Sequence, residues 1–280
     1  MEEKIRLPDV SLVMPTMGRS HHVSATIESL LNQTFDDFEL LVRDDGDGTD
    51  GKQEAVTKFG DPRIKYFRNP ARRAIPGNTN DGLKESCGRF IGVVHDHDLF
   101  EPSYLGELVD SLNSHPKANY VHCGIGVIDQ SGQNVKTLVG DFQEFTEGRQ
   151  WLRFMLSSLA CPVCAINLVR REAYEKHGFY DPEFGFVADI DMWMKLTETG
   201  GVAYVAEPLI LVREREDDHF ATADADAIIR TVGRIHRKHI PNVYEGMTAL
   251  PRLAALKFRI AKRLGLLTAA RMKRLLLSAR

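Results

Sequence analysis

Two periodicities of hydrophobic residues alternate along the first 115 residues of the chain. Short apolar runs, typical of buried strands, are separated by segments in which apolar residues recur at helical spacing. The runs predict strands at 10–14, 38–42, 64–67 and 90–94, and the segments between them predict helices at about 22–32, 52–59 and 78–87. Strands and helices in this order predict an α/β fold with a parallel sheet and right-handed crossovers.

The alternation continues less regularly, and the pattern changes from about residue 224. The turn Asp129-Gln-Ser-Gly132 lies between two apolar runs and predicts a hairpin. Further strands are predicted at 120–128, 135–139, 166–169, 202–205 and 209–212, and further helices at 104–114, 151–159, 171–177, around 192–196 and at 225–236. We therefore expect one domain over residues 1–220, with halves of about 8–115 and 116–220, followed by a helical extension over 221–280.

The end of this extension, residues 251–280, is basic and is called the basic segment below. It carries nine Lys or Arg residues and no acidic residue. Its apolar residues recur at helical spacing, as Leu253, Leu256, Ile260, Leu264 and Leu267. Such a segment suits the interface between apolar lipid and anionic head groups. A helix that packs on the protein or on a second copy is an equal alternative.

Composition and charge exclude several classes of protein. Hydrophobic residues make up 43% and charged residues 27% of the 280 residues, an ordinary globular balance. The net charge of −3 argues against a general nucleic-acid binder. No apolar run approaches the roughly 18 residues that a membrane-spanning helix needs. The charged N-terminus, MEEKIRLPDV, has no apolar signal core, so we expect a cytoplasmic location, with the basic segment at the inner membrane face.

The four cysteines provide no disulfide framework, which favours a reducing compartment. Cys161 and Cys164 have the spacing of a redox pair. However, an apolar run follows them and no histidine lies nearby, so packed thiols are the favoured interpretation.

The candidate chemistry begins where the predicted strand 90–94 ends. Four polar residues follow it directly, His95, Asp96, His97 and Asp98. Because α/β sheets bind ligands beyond the carboxyl ends of their strands, this position favours a ligand site. Asp and His together can hold a divalent cation, which is what a diphosphate leaving group needs. The alternative is that the two Asp residues only turn the chain and cap the next helix.

Two further loops carry charge. The acidic loop, residues 43–51, follows the second strand and contains four Asp and three Gly residues, which is also typical of a turn with a solvated acidic rim. The basic loop, residues 68–77, contains Arg68, Arg72 and Arg73, which could meet phosphate or simply be solvated. The first strand is not followed by Gly-x-Gly-x-x-Gly, so a dinucleotide-binding interpretation is weak.

The ordered motifs resemble the inverting glycosyltransferases of family two, which have the GT-A fold. The similarity covers residues 8–216, and is carried by VSLVMPTMGR, FELLVRDDGDGTDG, NDGLKESCGRFIGVVHDHDLFEP, GFYDPEFGFVADIDMWMKL and YVAEPLILVRER. The resemblance implies a Rossmann-like, mostly parallel central sheet flanked by helices. It also implies a nucleotide-sugar donor and a divalent cation, Mn²⁺ or Mg²⁺, held against the diphosphate.

The resemblance implies roles for individual residues as well. Asp45 would accept from the N3–H of uracil or thymine, and Asp189 would be the catalytic base. Asn80 would lie on a helix that packs below the nucleotide. The other residues assigned to the nucleotide are Pro15, Thr16, Met17, Arg72, Arg73 and Asp96.

Three positions depart from the family pattern. Aligned on Pro102, the usual Asp-x-Asp-Asp falls on residues 95–98, so histidines occupy both positions of the usual metal pair. Either His97, together with His95, is the metal ligand, or Asp96 and Asp98 serve through a one-residue shift. The residues assigned to the metal are His95, His97 and Asp98. The Glu that often precedes the base is Ala188. The His often found after the last strand is Arg215, which could meet phosphate.

We therefore expect an inverting glycosyltransferase that moves a sugar from a UDP- or dTDP-sugar to a glycan or lipid-linked acceptor. One alternative is a sugar-1-phosphate nucleotidyltransferase. It should have a Gly-rich activating loop after the first strand, which residues 15–19 match poorly. The other alternative is a glycan- or partner-binding module that has lost catalysis.

Overall fold

The computed structural model of the chain describes residues 6–18, 20–158, 161, 163, 167–214 and 225–244. Within these residues the strands are β1 (Val10–Thr16), β2 (Phe38–Asp44), β3 (Ile64–Arg68), β4 (Phe90–Val93), β5 (Leu99–Phe100), β6 (Ala118–Ile128), β7 (Asn134–Leu138), β8 (Phe145–Thr146), β9 (Leu168–Arg170) and β10 (Gly201–Arg213). The helices are α1 (Ser20–Leu31), α2 (Lys52–Thr57), α3 (Gly77–Glu85), α4 (Tyr104–Ser114), α5 (Gly148–Ser157), α6 (Arg171–His177), α7 (Ala188–Leu196) and α8 (Ala225–His239). Two 3-10 helices lie at Pro182–Val187 and Ile240–Asn242.

The first half of the chain forms the parallel sheet that its hydrophobic pattern predicts. The strands lie in the order β3-β2-β1-β4, and all three pairings between them are parallel. Nearly every residue of β1 and β2 is buried, as expected for a parallel sheet with helices on both faces.

The predicted end of the first strand at Pro15 is wrong, because β1 runs on to Thr16. The pairing of β1 with β4 ends at Val13, whereas its pairing with β2 continues to Thr16. Pro15 therefore lies in a stretch with a partner strand on only one side. A residue without an N–H is tolerated there.

The second half makes the sheet mixed. β9 is antiparallel to both β4 and β6, and it joins the first four strands to the rest. β6 and β10 pair in parallel, and β5 returns antiparallel to β10 at the far edge. The short strands β7 and β8 pair with β6 and β10 off this path.

The two strands predicted at 202–205 and 209–212 are one strand, β10. Its pairing with β6 shifts register between Val205 and Pro208 and again between Pro208 and Ile210. The proline therefore causes an irregularity in one strand and does not separate two. The predicted hairpin between β6 and β7 is confirmed, and Gly132 adopts a left-handed φ of 88° in its turn.

Two groups of apolar side chains cover the two faces of the sheet. One group includes Trp193 of α7 and Tyr120 of β6, and the other includes Ile27 of α1 and Leu108 of α4. Helix α3 lies especially close to β1, since a Cβ at Gly82 would meet Val13 Cγ1 at 2.4 Å. Glycine at this position lets α3 approach the strand that carries the first site residues.

Several predictions fall outside the described residues. They concern the domain boundary near residue 220, Arg215, Cys164 and the basic segment. Cys161 is buried. Among the helices that the structure describes, none combines the length and apolar character needed to cross a bilayer.

Candidate active site

The predicted site residues gather where β1, β2 and β4 end. The carbonyl of Thr16 accepts from the backbone N–H of Asp45 at 2.9 Å, which joins the ends of β1 and β2. The hydroxyl of Thr16 donates to the Asp96 carboxylate, which joins β1 to the loop after β4. Pro15 is half-buried and Met17 is exposed. The first strand therefore connects the acidic loop with the loop that carries the histidines.

His95, His97 and Asp98, called the His-Asp cluster below, offer three potential metal ligands. Their ligand atoms all lie within 4.8 Å of one another. His95 Nδ1 lies 3.0 Å from Asp98 Oδ2, and the two imidazole rings are stacked with centroids 5.4 Å apart. Burial raises the pKa of Asp98, but the hydrogen bond from His95, the charges of both histidines and the N–H of Arg213 outweigh it, so the pKa lies below its usual range.

The surroundings of His97 fit a metal ligand. Its Nδ1 lies 3.0 Å from Asp96 Oδ1, and its Nε2 lies 3.8 Å from Asp98 Oδ1. Metal-binding histidines characteristically donate their other ring N–H to a carboxylate, which fixes the ring and its tautomer. The Asp96 carboxylate is engaged by both Thr16 and His97. The donor set therefore fits a divalent cation, and it favours the histidine-based ligand set over the one-residue shift to Asp96 and Asp98.

Arg213 holds the His-Asp cluster from the second half of the chain, a role that the sequence did not reveal. Its Nε donates to the His97 carbonyl at 3.0 Å and its backbone N–H donates to Asp98 Oδ1 at 2.9 Å. Its Nη1 reaches the carbonyls of Asp129 and Gln130 at 2.9 and 3.1 Å. Its place directly after a predicted strand was the signal that could have found it.

His22, near the start of α1, is another residue that the sequence reasoning passed over. It is half-buried, and burial followed by the charges of His21, Arg213 and His97 lowers its pKa. These effects place His22 beside the His-Asp cluster. The adjacent pair of histidines before an apolar helix was the only available signal.

Asp45 organises the basic loop. Its Oδ1 accepts from Asn69 Nδ2 at 2.9 Å and from the N–H of Arg73 at 2.7 Å, and its Oδ2 accepts from the N–H of Ala74 at 2.8 Å. Ala74 has a left-handed φ of 55°, which is strained for a residue with a Cβ. A carboxylate has about four acceptor sites, so the three bonds from residues that the structure describes leave one for a ligand.

The arginines of the basic loop differ in their environments. Arg72 is exposed, whereas Arg73 Nε forms an ion pair with Asp81 at 2.7 Å. Arg68 lies against Gly48 of the acidic loop. The two charged loops therefore contact each other.

The acidic loop is not simply a solvated turn. Asp44 and Lys52 are fully buried and lie 2.8 Å apart, and Lys52 also pairs with Asp50 at 2.9 Å. Burial lowers the pKa of Lys52, but its bonds to both carboxylates outweigh this and leave the pKa above its usual range. Of the four Asp residues of this loop, only Asp47 is exposed, as the turn interpretation expected. The buried ion pair between Asp44 and Lys52 fixes the loop that presents Asp45.

Asn80 links the two halves of the chain. Its Nδ2 donates to the Tyr180 carbonyl at 2.8 Å, and its Oδ1 accepts from the Tyr180 N–H at 3.0 Å. The side-chain amide therefore fastens α3 to the segment that leads into α7. Its predicted place below the nucleotide stays a prediction.

Asp189 and Asp191 both lie in the first turn of α7, but in different environments. Asp189 is half-buried, and burial raises its pKa to about 6 against the opposing effects of the Ile190 N–H and the charge of His95. Asp191 is fully buried, and its carboxylate lies 2.8 Å from His239 Nε2 and 3.0 Å from Lys238 Nζ. Asp189 thus has the environment of a base beside the His-Asp cluster, whereas Asp191 is engaged in an ion pair.

Known proteins with similar sequences are glycosyltransferases. Over 91 residues the chain is 40% identical to the Escherichia coli UDP-Glc:alpha-D-GlcNAc-diphosphoundecaprenol beta-1,3-glucosyltransferase WfgD, covering 32% of this chain and 36% of that protein. Over 137 residues it is 32% identical to the Campylobacter jejuni GalNAc(5)-diNAcBac-PP-undecaprenol beta-1,3-glucosyltransferase, covering 48% of this chain and 43% of that protein. The matches thus span less than half the length of these relatives.

Solved structures confirm the GT-A fold. Staphylococcus aureus TarS 1–349 in complex with UDP-GlcNAc matches with a TM-score of 0.70 and 18% identity, over 90% of this chain and 71% of that one. The mannosyltransferase PcManGT of Pyrobaculum calidifontis, in complex with GDP-Man and Mn²⁺, matches with a TM-score of 0.61 and 17% identity, over 93% and 71%.

A family model covers more than half of the chain. It matches residues 11–178, which include the ends of β1, β2 and β4 with their site residues, and its description is glycosyl transferase family 2. This match and the glycosyltransferase relatives favour sugar transfer over the nucleotidyltransferase and binding-module alternatives. The chain is a glycosyltransferase and belongs to glycosyl transferase family 2.

Proposed function

We propose that the protein is an inverting glycosyltransferase that uses a UDP- or dTDP-sugar, with Asp189 as its base. The observation that carries the proposal is the position of Asp189, whose pKa responds to the charge of His95. A carboxylate with a pKa of about 6 is suited to accept a proton near neutral pH. It comes from the second half of the chain and lies within electrostatic range of His95 in the first half.

In this proposal the first half binds the nucleotide. The free acceptor site of Asp45 takes the N3–H of the pyrimidine, and Thr16 and Met17 lie at the adjoining end of β1. Arg72 and Arg73 of the basic loop lie close to the diphosphate. Because Asp45 also fixes the backbone of Arg73, the loop and the base-binding carboxylate are ordered together.

A divalent cation, when bound, would neutralise negative charge on the leaving diphosphate. His95, His97 and Asp98 would hold it, with Asp96 and Thr16 orienting His97 and with Arg213 fixing the loop. Arg215 lies outside the described residues, and we retain it as a further phosphate contact.

The reaction is a direct displacement at the anomeric carbon. The acceptor oxygen attacks from the face opposite the diphosphate, and its proton passes to a carboxylate oxygen of Asp189. The bond from the anomeric carbon to the diphosphate breaks with its electron pair on the diphosphate. The transition state has oxocarbenium character, and the configuration at the anomeric carbon is inverted.

The proposed acceptor is a lipid-linked glycan in polysaccharide biosynthesis. Support comes from the two bacterial relatives, whose names describe diphosphoundecaprenol- or PP-undecaprenol-linked substrates. The basic segment, with nine basic and no acidic residues, suits an anionic membrane surface where such acceptors lie. The protein is thus proposed to act at the cytoplasmic face of the membrane as a peripheral protein.

Donor hydrolysis with Mn²⁺ present tests the proposal. We expect the protein to release UDP from UDP-glucose or UDP-GlcNAc, but not GDP from GDP-mannose. Proton NMR in the first minutes, before mutarotation, should show the β-anomer of the sugar released from the α-linked donor. Release of the α-anomer would contradict inversion, and a preference for GDP-mannose would contradict the pyrimidine donor.

A further inference from the structure

Two residues of helix α8, Lys238 and His239, contact the segment that contains Asp189. His239 lies against Asp191, 2.8 Å away, and against Glu198, 3.1 Å away. Lys238 pairs with the same Asp191 carboxylate at 3.0 Å and with Asp181 at 3.5 Å. We call Asp191, Glu198, Lys238 and His239 the α7–α8 cluster.

This cluster is buried at its centre. Asp191 is fully buried and His239 is 1% exposed. The burial of a charge is costly unless it is paired, so the native structure strongly depends on the contact between these two residues. Such a pair fixes the geometry of two helices more firmly than an exposed pair does.

Asp189 and Asp191 project from opposite sides of α7. Residues two positions apart in an α-helix, such as these, point in directions about 200° apart around its axis. Asp191 therefore faces α8, while Asp189 lies on the other side of α7, where the charge of His95 acts on it. Any shift of Asp191 toward or away from α8 moves Asp189 in the active site.

The first turn of α7 is supported from within the helix by the Ile190 N–H on the Asp189 carboxylate, but not by a side chain at its N-cap position. Its N-cap residue, Val187, provides no side-chain hydrogen bond. The preceding 3-10 helix is interrupted at Gly185, where φ is 52°. Side-chain caps normally stabilise a helix start, so this turn relies on tertiary contacts to stay in place.

We infer that Asp191, held by His239 and Lys238 of α8, is a positioning residue that sets the place of the base Asp189. The inference rests on the proposed role of Asp189 and adds α8, which lies beyond the part of the chain matched by the family model, to the machinery of transfer. Asp191 does not itself touch the reacting atoms.

The test compares Asp191→Asn, His239→Leu and His239→Gln in the full chain, using Mn²⁺-dependent UDP release from UDP-glucose and UDP-GlcNAc. A misplacement of about 1 Å can cost roughly 10²-fold in rate. We expect Asp191→Asn and His239→Leu to lower kcat about 10-fold to 10²-fold, with the donor KM and the calorimetric Kd of UDP unchanged. His239→Gln retains a donor to Asp191 and should recover most of the loss.

Glu183→Gln is the matched control. It removes an ion pair with Arg234 between the same two parts of the chain, but both of its members are substantially exposed. It should leave kcat at the wild-type value. All rates are measured well below the melting temperature of each variant, because a purely structural role would then leave kcat unchanged.

The outcomes separate this inference from the proposed function. If folded Asp191→Asn or His239→Leu keeps wild-type kcat while Asp189→Asn is inactive, the inference is overturned and the base assignment stands. If Asp189→Asn keeps its turnover, or the wild type hydrolyses neither donor, the proposed function falls and takes the inference with it. Where both buried variants fail to fold, the half-exposed Lys238→Met decides, with a loss of kcat expected and a wild-type kcat overturning the inference.

Discussion

Asp45 fixes the backbone of Arg73, whose N–H donates to Asp45 Oδ1 at 2.7 Å. The Asp45 carboxylate, which is proposed to bind the nucleotide base, and the basic loop are therefore one unit. Asp45→Ala should weaken UDP binding by about 1.5–3 kcal/mol, the usual range for a hydrogen bond to a charged group. Calorimetry measures this. Asp47→Ala is the control, since Asp47 is exposed and its carboxylate bonds Thr49 within its own turn. Equal UDP affinity in both variants would remove Asp45 from the nucleotide site.

Metal preference follows from the two imidazoles of the His-Asp cluster. Imidazole suits later first-row metals such as Co²⁺ best and Mn²⁺ less well, whereas Mg²⁺ binds oxygen ligands. We expect Mn²⁺ and Co²⁺ to tighten UDP binding more than Mg²⁺ does, and bound Co²⁺ to show visible absorption. His97→Ala should abolish both effects, while His177→Gln, whose ring bonds Thr199, should not. Metal-independent UDP affinity in the wild type would show that the cluster is not a metal site.

Turnover should depend on the protonation of Asp189. Because burial raises the pKa of Asp189 to about 6, the base is ionised above that pH and protonated below it. In the proposed mechanism kcat therefore falls roughly tenfold per unit as the pH drops below 6. Asp189→Asn should lower kcat about 10²-fold or more and leave UDP affinity nearly unchanged. A variant that keeps the acidic limb and most of its turnover would place the base elsewhere.

The α7–α8 cluster should make stability depend on pH. Burial disfavours both charged forms, but their mutual hydrogen bonds and charges outweigh it, so the pKa of His239 is raised and that of Asp191 is lowered. Because its pKa is raised, His239 stabilises the fold at pH values below the ordinary His pKa of about 6.5. This stabilisation is lost as the pH rises through the folded-state pKa. The lowered Asp pKa stabilises above about 3.9 and is lost as the pH falls through the folded-state pKa.

The pair should therefore contribute most to the free energy of unfolding between about pH 4 and 6.5. His239→Gln should lower Tm most in that window and least at alkaline pH. Removing one partner of a buried ion pair lowers the free energy of unfolding by about 3–5 kcal/mol, so we expect Asp191→Asn to show the largest loss of stability among these variants. Thermal melts of these variants and of Glu183→Gln across pH measure it. A difference in Tm that does not vary with pH would contradict this account.

The basic segment makes a separate prediction about membranes. Each basic residue near an anionic surface contributes about 1 kcal/mol, so several together can hold a protein there reversibly. We expect the full chain, but not a version that ends at residue 250, to sediment with anionic liposomes at low salt. Neutral liposomes are the control. Equal sedimentation of both versions would favour a segment that docks on protein.

Much of the first half could be predicted because its signals are local. The strands up to β4 are short, mostly apolar runs, and His95, His97 and Asp98 are neighbours in the sequence, so their proximity needs no tertiary information. The resemblance of the ordered motifs added the role of Asp189. That role stays a prediction until turnover is measured.

The remaining features depend on long-range contacts that no local pattern encodes. Arg213 reaches Asp98 across 115 residues, and His239 reaches Asp191 across 48. Strand β9 has three residues, and its antiparallel direction depends on partners far from it in the chain. The charges of Asp44 and Lys52 indicated a surface loop, although the two residues form an ion pair in which both are fully buried.

Strand β9 comes from the second half of the chain and pairs with β4, while β5 comes from the first half and pairs with β10. Each half thus lends a strand to the other. A fragment ending at residue 115 would expose the edge of β4, and the remaining fragment would lack β5, one of the partners of β10. The first half, which is proposed to bind the donor, therefore cannot be exchanged by itself, and a chimera that transfers it between relatives must carry β9 along with residues 8–115.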